Sequence, residues 1–202
     1  METLGLVLAG GNSSRMGQDK ALLPVGDHTL AEHIYCLMKE RLDHVWVSRQ
    51  KDQPLPFAAD RVVFDKSRVK GPLSGISAAL KAALKSDQYE GLLIIPVDMP
   101  RLTDETLVAL LQEGRRLQRP VCYGKHYIPL YLPVSSAISD FISDQLNDPG
   151  SRRSVASVFY QFDGLQLAEP HNDSLTNTNT MAEWQAVQET PQTTGKANDT
   201  AE

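Results

Sequence analysis

Two glycines, an arginine, a third glycine and a lysine follow one another between Gly10 and Lys20, inside the stretch LAGGNSSRMGQDKALLP, Leu8 to Pro24. Gly10 and Gly11 carry no Cβ, so their backbone can turn freely and approach a ligand closely. Exposed N–H groups in such a turn make an anion-binding concavity. Arg15 offers a planar fork matched to phosphate oxygens, and Lys20 adds a compact point charge. The chemistry these residues suggest is phosphate binding; the alternative is an ordinary surface turn. Two familiar phosphate loops are excluded. A P-loop sets its lysine and a hydroxyl directly after the last glycine, whereas here Gly17 precedes Gln18-Asp19-Lys20-Ala21. The dinucleotide fingerprint G-x-G-x-x-G fails at Asn12.

Two carboxylates occupy comparable positions further on. Asp98 follows the most apolar run of the chain, Leu92 to Pro96, and Asp65 follows Arg61 to Phe64. A carboxylate at such a point can hold Mg²⁺, which keeps several waters and bridges to substrate phosphates. It can equally serve as a turn or helix-capping aspartate.

The elements that must position these residues alternate between strand and helix. Leu4 to Leu8, Val45 to Val47, Arg61 to Phe64 and Leu92 to Pro96 read as buried strands, the last of them central because it lacks alternation. Helices are expected over Thr29 to Leu42, with Thr29 as N-cap and Glu32 completing a capping box, over Leu73 to Leu84, and over Thr103 to Leu117. Beyond them come two strands, Val121 to Gly124 and Tyr127 to Leu132, and three further helices: Ser135 to Leu146, a short one over Ser151 to Val158 carrying Arg152 and Arg153, and a late one over Met181 to Val187. This pattern predicts right-handed β-α-β units in a three-layer α/β/α fold, with a mainly parallel, Rossmann-like sheet. Ligands in such sheets bind at the carboxyl ends of the strands. Gly10-Gly11, Asp65 and Asp98 should therefore gather along one edge.

The bulk numbers fit that frame. The 202 residues suit a single domain, read as 1–188, followed by a tail at 189–202 of Thr, Gln, Asn, Gly and charge that buries too little to order. The net charge of -5 and the lack of a basic block argue against a nucleic-acid-binding face. No run approaches the ~18 apolar residues of a membrane span, and the N-terminus lacks the basic region of a signal peptide. A cytoplasmic protein is expected. Cys36 and Cys122 stand far apart outside any C-x-x-C pattern and are expected to be buried, reduced thiols. The scattered histidines give no zinc pattern.

The first motif, L-A-G-G-x-S-x-R-M-G-x-D-K-x-x-L-P, resembles the signature of sugar-phosphate and cofactor nucleotidyltransferases. Gly71-Pro72-Leu73-Ser74-Gly75-Ile76 is similar to a second block of that superfamily, and Pro96-Val97-Asp98-Met99-Pro100 to its P-x-D-x-P metal block. Thr176-Asn177-Thr178-Asn179-Thr180 is similar to the late N-x-N-T segment of the molybdenum cofactor guanylyltransferase family, to which these motifs and the chain's size point. The resemblance runs from Leu4 to Val187.

It implies that Leu8, Ala9, Gly10 and Gly11 contact the nucleotide through their backbone, that Lys20 and Arg15 bind its phosphates, and that Asp98 holds Mg²⁺. It implies nucleotide contacts for Asp65 and Gly71 and, for Asn177 and Asn179, either contact with the acceptor or organisation of the metal side of the site. Arg152 and Arg153 match a basic pair that would receive a phosphate or pterin group; a solvated helical face explains them nearly as well. One departure stands out. The family commonly has an asparagine after its second strand, where this chain reads Ser48-Arg49-Gln50.

The implied reaction is transfer of GMP from GTP to molybdopterin or its molybdenum-loaded form, with a transient contact to a receiving molybdoenzyme or chaperone. Residue types alone leave the base open. A cytidylyl-transferring relative, a sugar-phosphate nucleotidyltransferase and a non-catalytic cofactor escort are the competing readings.

Overall fold

The computed structural model describes residues 1–11, 19–64, 71–170, 173–178, 180 and 182–185. Arg15, Asp65, Asn179 and the 189–202 tail lie outside the described residues.

A seven-stranded sheet organises the molecule. Its strands are β1 (Glu2–Leu8), β4 (Val45–Arg49), β5 (Arg61–Phe64), β6 (Tyr89–Pro96), β7 (Val121–Tyr123), β8 (His126–Pro133) and β9 (Leu165–Leu167). Their spatial order is β5-β4-β1-β6-β8-β7-β9. β1 pairs in parallel with both β4 and β6, and β4 with β5. β8 runs antiparallel to β6 and β7, while β9 returns parallel to β7. The expected mainly parallel sheet is present, and β6 lies at its centre.

The continuous apolar runs follow from two covered faces. Along β6, Leu92 and Ile94 enter one core cluster, and Leu93 and Ile95 the other. Helices α2 (Pro72–Ala83), α4 (Ser136–Asn147) and α5 (Val155–Gln161) cover the first face. Helices α1 (Leu30–Lys39) and α3 (Asp104–Leu117) cover the second. The layers are α/β/α.

Local chemistry sets the helix ends. The Thr29 side chain accepts a hydrogen bond from the Glu32 N–H at 3.3 Å, as an N-cap does. Gly71 caps α2 at φ +134°, a conformation open to glycine, with Pro72 following at the first helical position. Gly75 has a packing role: a Cβ there would run into Ser48 Oγ, so the glycine lets α2 lie directly on β4. A short β2–β3 hairpin (Pro24–Val25, His28–Thr29) and a 3-10 turn (Lys20–Leu22) join the phosphate-loop region to α1. Neither is readable as a periodic pattern, because each is too short to show one.

Two expectations need correction. Cys122 is buried, and burial pushes its thiol up to about 12, but Cys36 is exposed. The buried stripe of α1 is Leu30, Ala31, Ile34 and Met38. Cys36 lies two residues, about 200°, from Ile34 and so faces outward. The short helix expected over Ser151 to Val158 begins instead at Val155, with Ser154 as its cap. Arg152 and Arg153 therefore stand in the α4–α5 turn, where Arg153 has φ +46°. Among the described residues, no helix is long and apolar enough to cross a membrane.

Candidate active site

Three chain segments converge where β1 and β6 end. Parallel pairing puts Leu8 beside Pro96, and the Val97 N–H donates to the Leu8 carbonyl at 3.3 Å. Ala9 to Gly11 leave β1 and pass against the exit of β4: the Ala9 N–H donates to the Ser48 carbonyl at 3.0 Å, and the Arg49 backbone lies 3.5 Å from where a Gly10 Cβ would stand. Asp98 follows β6 at the same edge.

Lys20 and Asp98 are joined through the late segment. Lys20 Nζ donates to the Thr178 carbonyl at 2.8 Å. The Thr178 N–H donates to the Asp98 carbonyl at 2.8 Å, and Thr178 Oγ1 to the same oxygen at 3.3 Å. Thr178 is buried. Leu175 and Trp184 anchor the segment on either side by packing into the core shared with α1 and α3. Thr180 and Glu183 secure it further with a reciprocal capping box: the Glu183 N–H donates to Thr180 Oγ1 and the Thr180 N–H to Glu183 Oε2.

Asp98 is half-buried, and its Oδ1 is closed off from solvent with no hydrogen-bond partner among the described residues. Burial raises its carboxyl pKa above the ordinary value, and the positive charge of Lys20 opposes that rise. An orphaned carboxylate oxygen beside a lysine fits a hard divalent cation. Among the described residues there is no group of three or more His, Cys, Asp or Glu to enclose a metal. Mg²⁺ is such a cation, and it commonly completes its shell with water and substrate phosphates.

The remaining expected residues are placed unequally. Gly71 sets the N-terminus of α2 at the same carboxyl edge, and helix N-termini favour anions. Asn177 is exposed and lines a cavity of about 250 Å³ with His126, Glu169 and Leu175. Topology also brings the α4–α5 turn to this edge, since α4 starts from the opposite end of the sheet. Arg153 is occupied within that turn, donating through Nη2 to the Asp148 carbonyl at 3.1 Å, while Arg152 is exposed. No described hydrogen bond links either arginine to the Lys20–Asp98 pair.

One residue of the site escaped sequence reasoning. Arg49, at the end of β4, is 0% exposed. Its Nη1 donates to the Ala9 carbonyl at 2.6 Å, and its Nη2 to Asp19 Oδ2 at 2.7 Å and to the Pro54 carbonyl at 2.6 Å. The available signals were the departure from the family's asparagine at Ser48-Arg49-Gln50 and a charge closing the mainly apolar strand Val-Trp-Val-Ser-Arg.

Comparison with known proteins gives the family. A family model described as the MobA-like NTP transferase domain matches residues 5–161. A Mycobacterium avium protein named "Probable molybdenum cofactor guanylyltransferase" is 31% identical, over 93% of this chain and 95% of its own length. The Pseudomonas fluorescens molybdenum cofactor guanylyltransferase is 33% identical, over 87% of this chain and 88% of its own. The solved structure of molybdopterin-guanine dinucleotide biosynthesis protein A from Archaeoglobus fulgidus shares the fold, with a TM-score of 0.73 at 18% identity, covering 92% of this chain and 97% of that one. By that family model and those relatives, the chain belongs to the molybdenum cofactor guanylyltransferase family of MobA-like NTP transferases.

Proposed function

We propose that the chain transfers GMP from GTP to the terminal phosphate of molybdopterin, or of its molybdenum-loaded form, releasing pyrophosphate. The observation that supports this reading is the hydrogen-bonded link from Lys20 through Thr178 to the Asp98 main-chain carbonyl, together with an Asp98 carboxylate oxygen that has no partner among the described residues. The identity of donor and acceptor rests on the relatives' names.

The acceptor phosphate oxygen attacks the α-phosphorus in line while the bond from that phosphorus to the β-phosphate oxygen breaks. The nucleophile is already anionic, so positioning and charge neutralisation suffice and no general base is required. Leu8, Ala9, Gly10 and Gly11 bring backbone to the nucleotide, with Gly71 and the α2 N-terminus alongside. Lys20 offsets phosphate charge, and Arg15 and Asp65 join it in the role their motifs imply. Mg²⁺ held by Asp98 would neutralise and order the triphosphate. Asn177 and Asn179, with Arg152 and Arg153 at the neighbouring turn, form the acceptor side, and the cavity beside Asn177 takes the pterin end. Cytoplasmic location and a transient contact with a receiving molybdoenzyme or chaperone complete the reading.

The test supplies the purified chain with Mg²⁺, molybdopterin and each nucleoside triphosphate in turn, and follows pyrophosphate. Release with GTP is expected, and Lys20→Ala is expected to lower it by roughly 10²–10³-fold, leaving a measurable residual rate, with an unchanged circular dichroism spectrum. Release with CTP alone would move the activity to cytidylyl transfer. Nucleotide binding without any pyrophosphate would instead mark a cofactor escort.

A further inference from the structure

We propose that Arg49 is a positioning residue for nucleotidyl transfer: its buried guanidinium grips Ala9 and Asp19, the two described flanks of the phosphate-binding motif, and thereby sets where Lys20 stands relative to Asp98. This rests on the nucleotidyl-transfer role given above to Lys20.

The geometry is that of a clamp. Ala9 and Asp19 lie ten residues apart in sequence, and one guanidinium reaches both. Nη1 meets the Ala9 carbonyl at 2.6 Å and Asp19 Oδ1 at 3.4 Å, while Nη2 meets Asp19 Oδ2 at 2.7 Å. A third anchor, the Pro54 carbonyl, accepts from Nη2 at 2.6 Å, so the guanidinium is also held from outside the motif. The same β4 exit holds Gly11 as well, since Gln53 Nε2 donates to its carbonyl at 3.2 Å.

The grip passes directly to Lys20. Asp19 is the N-cap of the 3-10 turn Lys20–Leu22, and its Oδ1 accepts from the Ala21 N–H at 3.0 Å. Fixing the Asp19 carboxylate therefore fixes the turn from which the Lys20 side chain departs toward Thr178 and Asp98. Lysine could not replace Arg49 here, because a single ammonium on a flexible stem lacks the rigid fork that spans separated acceptors. A buried ion pair is itself weak support for stability against an apolar substitute of equal volume. What Arg49 adds is a defined distance between the motif's flanks.

The test is a double-mutant cycle on the full chain, reading kcat/KM for pyrophosphate release, GTP affinity by equilibrium dialysis with Mg²⁺, and thermal unfolding. Asp19→Asn keeps the shape and the capping oxygen but removes the charge; Arg49→Lys keeps the charge but removes the fork. Each, assayed where it is folded, is expected to lose roughly 10–100-fold in kcat/KM, the usual effect of removing a partner that orients a working group. In a Lys20→Ala background, Asp19→Asn is expected to change kcat/KM and GTP affinity by less than about twofold, because coupled residues are not additive. Its effect on the unfolding temperature should persist there, which a purely structural brace would not separate from activity. Should Arg49→Lys fail to fold, the Asp19→Asn arm carries the decision. Wild-type kcat/KM in folded Asp19→Asn, or the full loss repeated on top of Lys20→Ala, would overturn the clamp while leaving Lys20 in its role. A fully active Lys20→Ala enzyme would overturn both.

Discussion

Arg49 and Asp98 bring opposite charges into the same edge of the sheet, and their surroundings differ in kind. The Arg49 guanidinium is sealed and spends its two terminal nitrogens on the Ala9 and Pro54 carbonyls and the Asp19 carboxylate; only its Nε lacks a partner among the described residues. Asp98 keeps an oxygen out of solvent with no such partner, and its carboxyl pKa is raised by that burial. Buried polar groups are normally satisfied internally. A charge that is satisfied has its role inside the architecture. A charge left unpartnered, with a perturbed pKa, is a candidate for binding something outside the chain. The contrast separates a charge used up inside the architecture from one left without a partner among the described residues.

The largest expected effect comes from closing that open charge. Asp98→Asn keeps the shape and removes the ligand charge, and pyrophosphate release should fall by roughly 10²–10³-fold or more, the scale seen when one preorganised electrostatic group is lost. Its stability should move the other way. A carboxyl whose folded pKa is raised favours folding below its unfolded value, about 4, and loses that advantage as pH rises through the folded pKa. Asp98→Asn should therefore unfold at a higher temperature than the parent at pH 7, with the gain fading as pH falls through the raised folded pKa and gone below about pH 4. A lower unfolding temperature at pH 7 would break the contrast, since Asp98 would then be a structural charge as well.

Arg49→Ala should do the opposite. It strands Asp19 and two backbone carbonyls, and breaking a buried pair by removing one partner typically costs about 3–5 kcal/mol. Urea unfolding at neutral pH measures this directly. Unchanged stability would mean that the guanidinium is no more needed by the fold than Asp98.

The smallest effect concerns a satisfied charge away from the site. Asp60 accepts from the Val45 N–H at 2.8 Å, Lys39 Nζ at 3.0 Å and the Tyr35 hydroxyl at 3.1 Å. Burial alone would raise its pKa, but those three donors hold it below the ordinary carboxylate value. Its contribution is therefore present above about pH 4 and lost as pH falls through the lower folded pKa. Asp60→Asn should flatten the acid end of the stability curve without touching neutral-pH turnover. An unchanged acid slope would show that local hydrogen bonds in partial exposure do too little to register, and would confine the comparison to the sheet edge.

What could be read from residues alone was whatever depends on near neighbours along the chain. Buried parallel strands appear as apolar runs, so β1, β4, β5 and β6 were legible, and with them the fact that Gly10 and Asp98 end strands. Caps are local too, as Thr29 shows. Element ends were less so: Arg152 and Arg153 moved from a helix into a turn, because Ser154 caps α5 three residues later than the apolar pattern suggested. Cys36 passed for buried because hydrophobic type says nothing of which way a helix is rotated.

The sequence by itself determined the layered α/β plan and the strand ends at which Gly10 and Asp98 stand, since each follows from short-range periodicity and residue chemistry. Only the tertiary structure decided that Arg49 would seize Ala9 and Asp19, and that Thr178 would bridge Lys20 to Asp98 across 80 and 158 positions of chain. Contacts at such separations leave no pattern along the chain. They exist because parallel strands deliver their ends to one edge, where a charge drawn out of water must find its partners among whatever the fold has brought there.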